Sequence, residues 1–119
     1  MKVEELMIGD WYWWEAEGKK YPLQVTKDTF KLMDEDISNF QRIPITKNIL
    51  KKNGFEKNTS NTKMIFNTHE HRLIYDLTDR IFTIFNEIEG TILVQKSIVN
   101  IHELQHALKL CEINKEIIV

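Results

Sequence analysis

The sequence predicts a mixed α+β fold: a small SH3-like barrel or strongly bent sheet at the N-terminus, a short helix, and an antiparallel β-meander capped by a C-terminal helix. Three observations carry this expectation. Short runs of β-branched and aromatic residues recur between turn signals, several with the apolar–polar alternation of a half-buried strand. The stretch between Pro44 and Gly54 carries helix start and stop signals. Apolar residues return at helical spacing over residues 98–111. The chain divides on this reading into an SH3-like β module, residues 1–45, and a helix-plus-meander unit, residues 46–119. No linker separates them, so one continuous compact domain is equally compatible.

Taken in order, Gly9-Asp10 forms a turn before Trp11-Tyr12-Trp13-Trp14, four consecutive strand formers. Residues 15–20, with Gly18, read as a hairpin turn and residues 21–26 as the returning strand. Lys27-Asp28 turns the chain into a strand at residues 29–33, and the acidic loop Asp34-Glu35-Asp36 leads to another over residues 37–43. Short strands at this spacing suit a small bent sheet or barrel. Thr46 is placed to cap a helix over residues 47–53, which Gly54 ends with Phe55 as a hydrophobic latch. Residues 56–63, rich in Asn, Thr and Ser, read as a mobile loop. Residues 64–67, 72–77, 80–87 and 91–96 form the meander. Leu73, Tyr75 and Leu77 share one face there, Ile92 and Val94 share another, and Gly90 closes the third turn. Ser97 caps the last helix, residues 98–111, and residues 116–119 form a final edge strand.

A chain of 119 residues can bury roughly two-thirds of the surface its unfolded form exposes, so no disulfide or metal staple is required. A net charge of −2 disfavours a dedicated nucleic-acid binder, which needs a basic face for the phosphates. The single cysteine, Cys111, excludes an internal disulfide and fits a reducing compartment. Residues 1–5 lack a basic start followed by an apolar run, so no signal peptide is expected, and no apolar run reaches the roughly 20 residues of a spanning helix. The expected address is cytoplasmic, with no membrane partner. Oligomeric state is left open.

One motif points to a specific chemistry. His102-Glu103-Leu104-Gln105-His106 spells H-E-x-x-H, the signature of zinc metallopeptidases, inside the last helix. Two histidines four apart can share a tetrahedral metal while the glutamate acts as base toward the metal-bound water. On a helical wheel, however, Ile98, Ile101, Leu104, Leu108 and Cys111 share one wedge of about 140°. Glu103 and His106 lie nearly opposite and His102 lies on the flank, so the imidazoles point away from the core that this helix covers. A third ligand must then come from His69 or His71, which share a face before a strand and would have to lie over the helix. The simpler reading is a polar helix face with two solvated histidines, and no metal, cofactor or catalytic residue.

The run Trp11, Tyr12, Trp13 and Trp14 puts large aromatics on both faces of one strand, and hiding both requires a second layer. An exposed half would be an interaction patch for another protein. Asp34-Glu35-Asp36 lacks calcium-loop spacing, Cys111 reads as a core residue, and no phosphate-binding glycine loop, G-x-S-x-G or dinucleotide fingerprint is present.

Three stretches together resemble a family of short, uncharacterised proteins from gut anaerobic bacteria and their phages and mobile elements. They are Leu6-Met-Ile-Gly-Asp-Trp11, Pro44-Ile-Thr-Lys-Asn-Ile-Leu-Lys-Lys-Asn-Gly-Phe55 and Val99-Asn-Ile-His-Glu-Leu-Gln-His106. That family's final motif is similar to V-H-x-L-Q followed by a variable residue. The resemblance therefore implies that His102 and Gln105 belong to the pattern and that His106 is incidental to it. It supports the architecture and carries no activity. The functional expectation is a non-enzymatic protein-interaction or accessory protein. The alternative is a small zinc-dependent hydrolase using Glu103 as base and His102 and His106, with His69 or His71, as ligands.

Overall fold

The computed structural model of the protein describes residues 6–119; residues 1–5, read above for a signal peptide, lie outside them. Among the described residues the fold is mixed α+β with two antiparallel sheets, neither of which closes into a barrel. Strands β1 (Trp11–Ala16), β2 (Lys19–Gln24) and β3 (Phe40–Arg42) form a three-stranded sheet in the order β2-β1-β3. Strands β4 (Glu56–Lys57), β5 (Lys63–Asn67), β6 (His71–Asp76), β7 (Ile81–Asn86) and β8 (Thr91–Ser97) form a five-stranded meander in chain order. The helices are α1 (Lys27–Glu35), α2 (Lys47–Lys52) and α3 (Ile101–Leu110).

Local chemistry explains most boundaries. The β1–β2 hairpin turns through Glu17 and Gly18, both at positive φ (53° and 76°), as a two-residue turn matched to strand twist requires. Helix α2 begins at Thr46, whose side chain accepts from the Ile49 N–H. It ends with Phe55 N–H donating to the Leu50 carbonyl and Gly54 N–H to the Lys51 carbonyl, with Gly54 at φ 89°. That is the glycine-terminated pattern with Phe55 latched into the core.

Several expectations are corrected. Residues 29–33 belong to α1 and not to a strand. Thr26 and Thr29 cap each other reciprocally at its start, and helical spacing brings Met33 into the core. Residues 37–39 form a single 3-10 turn, so β3 starts only at Phe40. The polar stretch after Phe55 holds the short strand β4 and a turn tied by Asn58, whose Oδ1 accepts from the N–H groups of Thr62 and Lys63. Ile92 and Val94 do not share a face: a bulge pairs Val94 with Ile84 and Ile92 with Phe85, making Leu93 the extra residue. Helix α3 starts at Ile101, three residues later than expected. Ile45 N–H donates to the Val99 carbonyl and Ile101 N–H to the Ile43 carbonyl, which holds residues 98–100 extended and leaves Asn100 as the cap. Residues 113–119 form no strand, although Ile117 is buried.

Two apolar clusters result. The larger packs Met64, Leu73, Tyr75, Phe82 and Ile84 of the five-stranded sheet under Ile101, Leu104 and Leu108 of α3, closed by α2 and Phe55. The smaller gathers Leu6, Tyr12, Val25, Met33 and Phe40 between the three-stranded sheet and α1. Strand β1 serves both: Trp11 and Trp13 pack on the larger cluster, while Tyr12 and Trp14 belong to the smaller. Leu104 is fully buried at the centre of α3, so Leu104→Ala should cost about 2–5 kcal/mol through lost burial and the cavity left behind. Chemical denaturation measures this directly; a loss under about 1 kcal/mol would place Leu104 outside a packed core.

Candidate functional site

The H-E-x-x-H segment lies on α3 as expected, but each of its polar side chains is engaged within the fold. Glu103 folds back on the start of its own helix, where its Oε1 accepts from Asn100 N–H at 3.1 Å and Asn100 Nδ2 at 3.2 Å. A carboxylate there satisfies otherwise orphaned donors and complements the helix dipole. His102 is buried, not solvated, and stacks on the Tyr12 ring with centroids 5.2 Å apart. Its ring meets that of His106 edge to face. Gln105 is buried too: its Oε1 accepts from Trp11 N–H at 3.0 Å and its Nε2 donates to the Gly9 carbonyl at 2.8 Å.

His106 is half-buried, and its Nε2 lies in a hydrogen bond 2.5 Å from Asp10 Oδ2. Asp10 is completely buried. It also accepts from Met7 N–H at 3.2 Å, and its other oxygen lies 3.8 Å from Lys109 Nζ. Lys109 in turn donates to the Ile8 carbonyl at 2.8 Å. Burial pushes the Asp10 carboxyl above the ordinary aspartate value, against the opposing hydrogen bond and charge of His106, the charge of Lys109 and the Met7 amide. The face of α3 opposite Leu104 is therefore a clamp on the turn that leads into β1. The expectation of two solvated histidines is overturned because β1 and that turn cover this face. For Gln105 the sequence signal is its match to the V-H-x-L-Q pattern; Asp10, expected only as a turn residue, and Lys109 carry no such signal.

The aromatic strand is equally committed. Trp11 Nε1 donates to the Ile117 carbonyl at 2.7 Å, which ties the C-terminal segment to β1. Trp14 stacks on Phe40 and tilts against Tyr21. Tyr12 is fully buried and drops out of the expected interaction patch, because it sits in the smaller cluster with the His102 ring stacked on its own. Trp11, Trp13 and Trp14 keep part of their surface.

His69 and His71 do not join His102 and His106. They line an open cleft of about 580 Å3 between the β5–β6 turn and the chain after α3, together with Glu112 and Glu116. Among the described residues, no group of three or more His, Cys, Asp or Glu side chains converges as a metal ion would require. Cys111 caps α3, half-buried against the larger cluster, and burial raises its thiol pKa. Asp34 and Glu35 fall in the last turn of α1, and Asp36 caps it. No helix among the described residues is long and apolar enough to cross a membrane. Comparison with protein-family models, with curated proteins and with solved structures finds no match.

The Asp10 shift has a definite sign in pH. A carboxyl raised in the folded state binds its proton more tightly there than in the unfolded chain. Its contribution to stability is then fully present below the unfolded value and is lost as pH rises through the folded one. Asp10→Asn removes this titration, so the parent should gain stability relative to the variant as pH falls from 7 toward 4. Denaturation curves of both proteins across that range test it. The opposite slope would show that the His106 pair outweighs burial.

Proposed function

We propose that the protein is a non-enzymatic interaction protein that receives an extended segment of a partner protein along strand β8. The observation that carries this reading is the state of the sheet edges. Strand β4 has two residues and β3 three, and β2 bears Lys19, Lys20 and Pro22. Short length, lysine and proline are the ordinary ways in which an edge is protected from pairing. Strand β8 has seven residues at the edge of the five-stranded sheet, with Ile92 56% and Leu93 41% exposed. An edge of this length offers backbone donors and acceptors to an added strand, and its alternating side chains supply specificity. The bulge at Leu93 and the charge of Lys96 work against indiscriminate self-pairing.

The engagement of the H-E-x-x-H side chains within the fold (Glu103 at the helix start, His102 on Tyr12, His106 on Asp10) supports the non-enzymatic part. The partial burial of Trp11, Trp13 and Trp14 supports β8 over the aromatic strand as the interaction surface. A photo-crosslinking residue in place of Gln95, with a second at Tyr21 on β2 as control, tests this in extract from the native host. The expected result is one discrete adduct from position 95, competed by excess unlabelled protein. In Ile92→Glu/Leu93→Glu it should be about tenfold weaker. An adduct indifferent to those substitutions, or no adduct at all, would overturn the proposal.

A further inference from the structure

We propose that the cleft between the β5–β6 turn and the chain after α3 is a binding site for an alkylammonium group. This goes beyond the interaction reading and uses a different surface from β8. The cleft, about 580 Å3 in volume, falls within the roughly 300–1,000 Å3 typical of small-molecule sites. The ring of Phe66 lines it and packs against the larger core cluster. Phe55 packs against the ring at 5.5 Å between centroids. Gly54 lies so close that a Cβ there would come within 3.1 Å of it.

One face of this ring already carries a cation. Lys115 Nζ sits 3.8 Å from the Phe66 centroid, well inside the roughly 6 Å over which a ring face attracts an ammonium. Lys115 therefore shows, with a group of the chain itself, which chemistry this platform accepts. The surrounding charge agrees. Glu70, Glu112 and Glu116 line the same cleft, three carboxylates against the one ammonium of Lys115, and Ile113 adds an apolar wall for a methylene chain. Lys115 stands on the irregular segment before Ile117, where its flexible side chain can turn out to solvent and leave the ring to a ligand. Burial beside the ring lowers the Lys115 pKa.

Titration of the tag-free protein, followed by two-dimensional amide NMR at constant ionic strength, tests the site. The probes are tetramethylammonium, 1,4-diaminobutane and Nα-acetyl-lysine methylamide. Saturable shifts confined to residues 66–71 and 112–116 are expected. Tightest binding of the diamine would identify a free amine as the source, and tightest binding of the lysine derivative a peptide-borne one; both share the proposed chemistry. Lys115→Gln vacates the platform and should tighten binding about tenfold, while Phe66→Leu keeps apolar volume without the ring face and should weaken it about tenfold. Glu112→Gln/Glu116→Gln, both exposed positions, should also weaken it and serves if Lys115→Gln loses the native spectrum. Shifts no larger than those from sodium chloride, or binding indifferent to Phe66→Leu in a natively folded variant, would overturn the proposal.

Discussion

Helix α3 is buried on two sides, and the arrangement of the molecule follows from that. One side carries Ile101, Leu104 and Leu108 into the five-stranded sheet. The other holds the turn before β1 through Gln105, His106 and Lys109, acting on Gly9, Trp11, Asp10 and Ile8. A neutral amide making two backbone hydrogen bonds and a buried carboxyl pinned by an imidazole are directional contacts, which area burial alone is not. They set the position of β1 over the helix. Trp11 and Trp13 can then pack on the larger cluster while Tyr12 and Trp14 build the smaller one. Removing one partner of such a buried set leaves the other desolvated and unpaired, which is why the cost of breaking it exceeds its net contribution when intact.

On the same helix, the H-E-x-x-H side chains keep metal-compatible spacing while engaging groups of the fold itself. The spacing brings His102 and His106 to one side of α3, as it would for a metal. What approaches that side is a tyrosine ring and an aspartate, and Glu103 is held at the helix start. The pattern describes which side chains share a face and carries no information about what lies opposite. The surfaces we propose for partners lie elsewhere, at the β8 edge and around Phe66.

What the sequence revealed divides along the same line. The meander strands, the α2 cap and stop, and the apolar stripe of α3 follow from residues close together in the chain, and each appears within a few positions of its expectation. The misplacements came where short-range signals conflicted or distant contacts decided. Thr29 to Met33 is β-prone by residue type, yet the Thr26–Thr29 reciprocal cap makes it helical. Ser97 is a good cap, but pairing of residues 43–45 with residues 99–101 keeps the chain extended past it. The Asp10–His106 contact joins residues 96 apart, beyond the reach of any periodicity. Asp10 looked like an ordinary turn residue, and only its complete burial shows otherwise. The Phe66 cleft is likewise assembled from segments more than 40 residues apart.

The most direct test is a double-mutant cycle on Asp10→Ala and His106→Ala, measured by chemical denaturation at neutral pH. The clamp predicts a coupling energy of at least about 1 kcal/mol between the two positions, the range found for contacting partners of one network. Single costs that add to within about 0.3 kcal/mol would mean that the pair contributes nothing specific and that α3 is held by its apolar side alone.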